Sequence, residues 1–129
     1  MPLIRLDISE DYSDEKIKQL LNTIHNSVVT SFHVPERDRY HIVSKHGENE
    51  LFFEDTGLGF ERSERPISIQ VFSRKRSEEE KQNFYKNVVR GLEKEGIDGK
   101  DVLISIFENG DADWSFGFGN AQFLTGELQ

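Results

Sequence analysis

Pro66-Ile67-Ser68-Ile69-Gln70-Val71-Phe72-Ser73-Arg74-Lys75-Arg76-Ser77-Glu78-Glu79-Glu80-Lys81 is the stretch from which the rest of the chain is read. Ile67, Ile69 and Val71 alternate with other residues at the two-residue period of a strand. Ser77, followed three residues later by Glu80, forms a capping box, so a helix starts there. Arg74 and Arg76 stand between strand and helix. Two apart on an extended backbone, their side chains leave on the same side. The helix N-terminus just beyond adds partial positive charge. Two fork-shaped cations beside free backbone donors suit a small carboxylate or phosphate. Two solvated arginines ahead of a helix would read the same way, and this stretch alone leaves the two readings level.

The pattern occurs twice. Leu3, Ile4, Leu6 and Ile8 predict a strand behind Pro2, and Ser13 is an N-cap with Asp14 and Glu15 in the first turn. Ile17, Leu20, Leu21, Ile24, Val28 and Phe32 recur at helical spacing. Pro35 disfavours helix at Val34, so that helix ends near His33. Arg39–Ser44 reads as a second strand. Residues 47–65 read as an irregular connection with a short hairpin at Leu51–Phe53. Pro66 with Ile67–Phe72 echoes Pro2 with Leu3–Ile8 at an offset of 64, as Ser77 echoes Ser13. Phe84, Tyr85, Val88, Val89 and Leu92 make the second apolar stripe, and Gly96 ends it. Ile97–Asp101 echoes Val34–Asp38, and Val102–Phe107 is a closing strand. The expectation is one α/β (α+β) domain over residues 1–129. Two tandem β-α-β repeats, about 2–46 and 66–108, make a four-stranded sheet with both helices on one face. A tail, 109–129, follows. The bare sheet face needs a cover, which a homo-oligomer supplies most simply.

With 129 residues, 35% hydrophobic and 31% charged, the chain suits a globular protein with a modest core. A formal net charge of -8 argues against nucleic acid or an anionic membrane as partner and makes the local arginine pair stand out. The absence of cysteine excludes disulfides, thiolate metal sites and cysteine nucleophiles. No apolar run suits a leader or a membrane span, so the cytoplasm is the expected location. His25, His33, His41 and His46 lack metal-ligand spacing, and Gly57-Leu58-Gly59 lacks the third glycine of a nucleotide loop. The reading therefore includes neither metal nor cofactor. Asp55-Thr56-Gly57 matches an aspartic-protease triplet but occurs once, in a chain with two helical segments.

Three features carry chemistry. Pro2 follows the initiator Met1, and a small second residue ordinarily permits Met1 removal. The freed secondary amine can be a base when neutral, an acid when protonated, or a Schiff-base nucleophile. With Met1 retained it is an amide and does none of these. Asp38, between Arg37 and Arg39, can hold that amine in its charged form or orient water; Asp101 holds the matching place in the second repeat. Trp114, Phe116, Phe118 and Phe123 are too many large apolar groups for a free tail, so they pack on a neighbour or wall a pocket.

Taken together, Pro2, Asp38-Arg39-Tyr40, Asp55-Thr56-Gly57-Leu58-Gly59, Ser73-Arg74-Lys75-Arg76-Ser77-Glu78-Glu79, Asp111-Ala112-Asp113-Trp114-Ser115-Phe116-Gly117 and Phe123-Leu124-Thr125-Gly126 resemble the tautomerase superfamily. Within it they resemble the malonate semialdehyde decarboxylase group, nearly end to end. The resemblance implies a β-α-β repeat fold, a homotrimer and a catalytic Pro2 freed of Met1. It further implies Arg74 and Arg76 on a substrate carboxylate, Asp38 assisting, and an apolar wall of Trp114, Phe116, Phe123 and Leu128. The expected partner is a small 3-oxo or 2-oxo acid. The expected reaction is decarboxylation of 3-oxopropanoate. The alternatives are tautomerase or hydratase chemistry on enol or acetylenic 2-oxo acids, and a trimeric binding protein without turnover.

Overall fold

The computed structural model describes residues 2–129. Strand β1 (Leu3–Ser9) leads into helix α1 (Asp14–Phe32), then strand β2 (Tyr40–His46). After the connection come strand β3 (Ile67–Arg74), helix α2 (Glu78–Lys94) and strand β4 (Val102–Asn109), with a one-turn helix α3 (Gln122–Thr125) in the tail. The sheet order is β2-β1-β3-β4. β1 and β3 pair antiparallel at the centre, and each has its own repeat's second strand parallel on its outer side. The expected hairpin at Leu51–Phe53 does not form: residues 51–65 contain no strand. Phe52 is exposed there, and Asp55 accepts hydrogen bonds from the N–H groups of Gly57 (3.1 Å) and Gly59 (2.7 Å). The Asp-Thr-Gly triplet is thus a turn, both glycines having positive φ.

Both helices begin as the sequence predicts. Ser13 accepts from the Lys16 N–H, and Ser77 and Glu80 form the reciprocal box. α1 stops at His33, whose left-handed backbone (φ 55°) returns its N–H to the Val29 carbonyl. Ile4, Leu6 and Ile8 from β1 and Ile67, Ile69 and Val71 from β3 face Leu20, Ile24, Val28, Phe84, Val88 and Leu92 from the helices. Burying each such side chain contributes about 1.5–3 kcal/mol, so this one layer carries the fold. Phe32 stacks on Phe84 at 5.0 Å, tying the end of α1 to the start of α2. The opposite sheet face stays open, with Tyr40, Ile42, Leu103 and Phe107 exposed at its edges.

The repeat is not uniform. The caps and helices recur at 64 residues, but the strands do not. β1 buries its even-numbered residues and β3 its odd-numbered ones. The central pairs Leu3↔Phe72 and Asp7↔Ser68 are exchanged by the repeat when β1 maps onto β3 at 65 (3 + 65 = 68; 7 + 65 = 72). β2 then maps onto β4 at 63, Tyr40 onto Leu103. A one-residue slip turns every side chain over. The structural mate of Pro2 is therefore Ile67 rather than Pro66.

Candidate functional site

Parallel β1 and β2 begin, and β3 and β4 end, at the same end of the sheet. α1 also finishes there. A cavity of about 720 Å³ opens at this point, lined by Phe32, His33, Val34, Pro35, Arg37, Asp38, Tyr40, Arg74, Arg76, Phe123, Leu128 and Gln129. It gathers five of the residues singled out from sequence: Asp38, Arg74, Arg76, Phe123 and Leu128. Trp114 and Phe116 do not line it. They back it instead: Trp114 stacks on Phe116 at 5.4 Å, and Phe116 meets Phe123 edge-on at 5.5 Å and Tyr40 at 5.7 Å. Trp114 Nε1 donates to Asn109 Oδ1, fixing the stack to the end of β4.

Pro2 is buried and is not among the lining residues. The residue after it, Leu3, pairs with Tyr40 and Phe72, which sets Pro2 level with Arg39 and Ser73 at the cavity's end of the sheet. Alternation with Ile4 turns it to the helix side, the side of Ser73.

The two arginines are held by different parts of the molecule. Arg76 Nε donates to Ser73 Oγ (3.1 Å) and Nη1 to the Phe32 carbonyl (3.2 Å), one of the acceptors α1 leaves open at its C-terminus. Burial draws the Arg76 pKa down; Glu80 and Asp38 work against this and Arg74 with it. A guanidinium stays protonated regardless. Arg74 belongs to the tail. Nη1 donates to Asp111 Oδ1 and Nη2 to the Gln129 main-chain oxygen, both at 3.0 Å, and its carbon lies 3.8 Å from the centre of the Phe123 ring. Asp38 is buried at 8% exposure and is among the residues lining the cavity. Its neighbour Arg39 turns away and donates to Asn22.

One expectation is corrected. The start of α2 offers an anion fewer donors than expected, and no residue of α2 is among those lining the cavity. The N–H of Arg76 goes to Glu108, that of Ser77 to Glu80 and that of Glu80 to Ser77. Positive charge in the cavity comes from side chains, with the C-terminal end of α1, not the N-terminal end of α2, against Arg76. Sequence reading also missed the lining by Phe32–Pro35 and Tyr40. Pro35, two residues past a helix end beside Asp38, was the available signal for a loop folded over the strand ends.

This arrangement can take a carboxylate between two guanidiniums and enclose the attached carbon chain in apolar side chains. Among the described residues, no group of acidic or histidine side chains is placed to hold a metal, and no helix is long and apolar enough to cross a membrane.

Comparison with known proteins agrees with this geometry. Two family models, each described as tautomerase enzyme, match residues 38–117 and 2–61. A probable tautomerase of Bacillus subtilis (strain 168), YrdN, is 50% identical over 99% of this chain and all of its own length. A second from the same organism, YusQ, is 30% identical over 96% of this chain and 99% of its own. A crystal structure of malonate semialdehyde decarboxylase superposes with a TM-score of 0.95 at 47% identity, covering 98% of this chain and 99% of the other. A second decarboxylase of that name, FG41, inhibited by 3-bromopropiolate, gives 0.95 at 41%, covering 98% and 97%. A fused 4-OT symmetric trimer shares the fold, with a TM-score of 0.78 at 18% identity over 96% and 98% of the two chains. The chain belongs to the tautomerase superfamily, in the group that resembles malonate semialdehyde decarboxylase.

Proposed function

We propose that the protein decarboxylates 3-oxopropanoate to acetaldehyde and CO2 without a cofactor, using Pro2 after loss of Met1. The observation that carries this reading is the pair of guanidiniums, Arg74 and Arg76, on one cavity at the end of the sheet where β1 begins. Near full-length likeness to a protein named for this reaction supports it. Breaking the C2–C1 bond leaves an electron pair on C2, which the aldehyde must accept as an enol or, through an iminium on Pro2, as an enamine. A protonated Pro2 hydrogen-bonded to the carbonyl oxygen, or an iminium at the same carbon, puts positive charge where negative charge develops. C2 then takes a proton, and in the iminium route water releases Pro2.

CO2 departs neutral, so a tight grip on the carboxylate alone would favour the ground state. Arg74 and Arg76 serve by holding the breaking bond perpendicular to the carbonyl plane. Phe32, Phe123 and Leu128, backed by Trp114 and Phe116, surround the leaving CO2 with apolar surface. Asp38 keeps the Pro2 amine protonated against two nearby cations or positions water. The assembly in this reading is a homotrimer in the cytoplasm. The exposed apolar side chains Tyr40, Ile42, Leu103 and Phe107, which further copies would cover, support that assembly, as does the trimer named for the fused 4-OT.

The test is a 1H NMR assay with 3-oxopropanoate on protein whose N-terminus has been weighed. Acetaldehyde forms with Pro2 exposed and not with Met1 retained; no acetaldehyde from the exposed form overturns the reading. Borohydride with substrate adds mass at Pro2 if an iminium forms. A second reading, tautomerase or hydratase chemistry on 2-oxo acids, is favoured by the name of the 50%-identical relative and by the hydratase activity reported alongside that of the solved decarboxylase. Ketonisation needs neutral Pro2 and fails at low pH, whereas protonated Pro2 fails at high pH, so a pH–rate profile separates them. Intact mass showing Met1 retained in native cells would favour a binding protein without turnover.

A further inference from the structure

The Arg74 guanidinium is held by the tail beyond β4. Asp111 takes Nη1, the Gln129 main-chain oxygen takes Nη2, and the Phe123 ring lies beneath. The tail is folded to make this possible. The Leu128 N–H returns to the Gln122 carbonyl at 3.1 Å, closing the chain past α3, and Gln122 itself accepts from the Phe116 N–H and donates to the Gly117 carbonyl. Asp111 begins a short turn whose Asp113 carboxylate accepts the Gly110 N–H at 2.7 Å. Arg76, by contrast, rests on β3 and α1 and touches nothing in the tail. One guanidinium is thus fixed by the scaffold and the other by the last twenty residues.

Gln129 and Leu128 line the cavity beside Arg74, and the Gln129 oxygen occupies Nη2, a donor that a carboxylate bound to Arg74 would also use. We infer that Asp111 is the positioning residue of Arg74, and that the segment Gln122–Gln129 is a strap whose main-chain oxygen holds Nη2 in the empty site until an entering carboxylate takes its place. Asp111 keeps Nη1 throughout, so the guanidinium exchanges one acceptor on Nη2 for another without turning. An entering carboxylate brings two oxygens for Arg74 and Arg76 together, which sets the direction of the exchange. The inference rests on the reading that Arg74 receives the substrate carboxylate.

Malonate, a carboxylate of similar length with no aldehyde to react, probes this without turnover. Titration calorimetry gives its affinity, and hydrogen exchange read by mass spectrometry follows residues 122–129. In the wild type, malonate saturation should raise exchange across the strap. Bound malonate with exchange unchanged or lowered overturns the strap. In Arg74→Ala the strap should exchange fast before malonate is added and should not respond to it; slow exchange there overturns the inference as well. Asp111→Asn keeps the shape and an oxygen acceptor but removes the charge. It should weaken malonate about fivefold and raise KM for 3-oxopropanoate with kcat within about twofold. Unchanged malonate affinity in that variant removes Asp111 from the role. If malonate does not bind the wild type at all, the carboxylate site itself falls and the strap with it. If malonate binds and 3-oxopropanoate is not turned over, the strap stands and the decarboxylase reading falls.

Discussion

At one end of the sheet Pro2 leads into β1, with Asp38, Arg74 and Arg76 around the strand ends. At the other end the repeat puts Ile67 in the place of Pro2, Asp101 in that of Asp38, and Ser9 and Asp11 in those of Arg74 and Arg76 (9 + 65 = 74; 11 + 65 = 76). Both aspartates are buried, at 8% and 6% exposure. Asp101 is absorbed by the fold: the Ser63 N–H and hydroxyl donate to its two oxygens at 2.6 and 2.7 Å. The connection brings Ser63 there, pinned by Arg62 on the Lys100 carbonyl and by Arg65, which lies 3.9 Å over Tyr12 and whose carbonyl accepts the Tyr12 hydroxyl. Asp38 lines the cavity that also holds Arg74 and Arg76. The β-α-β repeat carries an aspartate and a cavity at both ends, but the arginine pair at one end only. The second unit is preceded by 66 residues of chain, so no amine can be freed at Ile67, and the cavity of about 540 Å³ at that end is lined in part by the connection, through Ser63 and Arg65.

The sharpest way to break this contrast is to exchange prolines. Pro2→Ala should lower kcat/KM for 3-oxopropanoate by about 10² or more, and Arg76→Ala by about 10²–10³. Pro66→Ala should stay within about twofold of wild type. A comparable loss from Pro66→Ala, with the fold intact by circular dichroism, would mean that the second end takes part.

The aspartates should then separate by readout. Asp101→Ala removes the buried acceptor of the Ser63 N–H and hydroxyl and should cost about 1–3 kcal/mol in urea unfolding, with kcat nearly unchanged. Asp38→Ala should cut kcat severalfold or more at temperatures where it remains folded. Equal effects of both on kcat would erase the distinction between the ends.

The smallest effect concerns β2 and β4. His41 faces the helices from β2, as its mate Ile104 does from β4 (41 + 63 = 104). Burial, with Arg39 and His25 adding to it, lowers the His41 pKa to about 4. The unfolded chain takes up that proton near 6.5, the folded one only near 4. His41 therefore contributes stability fully above about pH 6.5, and loses it as pH falls toward 4. His41→Ile, which makes the repeats alike, should flatten urea midpoints between pH 6.5 and 4.5. An unchanged acid slope would assign the loss to other groups.

Helices, caps and strands were legible because each is written in local spacing: Ser13 and Ser77 mark the starts, and Pro35 marks the stop of α1. The alternation of Ile4–Leu6–Ile8 and Ile67–Ile69–Val71 was legible too, but their phase was not. Matching prolines suggested an offset of 64, and only pairing across the sheet shows 65. The arginine pair and Asp38 could be named from sequence. Their partners could not, because Phe32, Asp111 and Gln129 reach them across 37–55 residues of chain. The helix start gave less to the cavity than expected for a local reason: Glu80 and Glu108 take the N–H groups of Ser77 and Arg76.

The antiparallel seam between β1 and β3 lies midway through the molecule, with Leu6 opposite Ile69 and Ile4 opposite Val71. Either half alone would be a two-stranded ribbon with a single helix, its central strand stripped of one neighbour and its core layer cut open. Neither half has enough interior to persist alone, so the chain should melt in one cooperative step. Fragments severed anywhere between Gly47 and Arg65 should regain structure only when mixed.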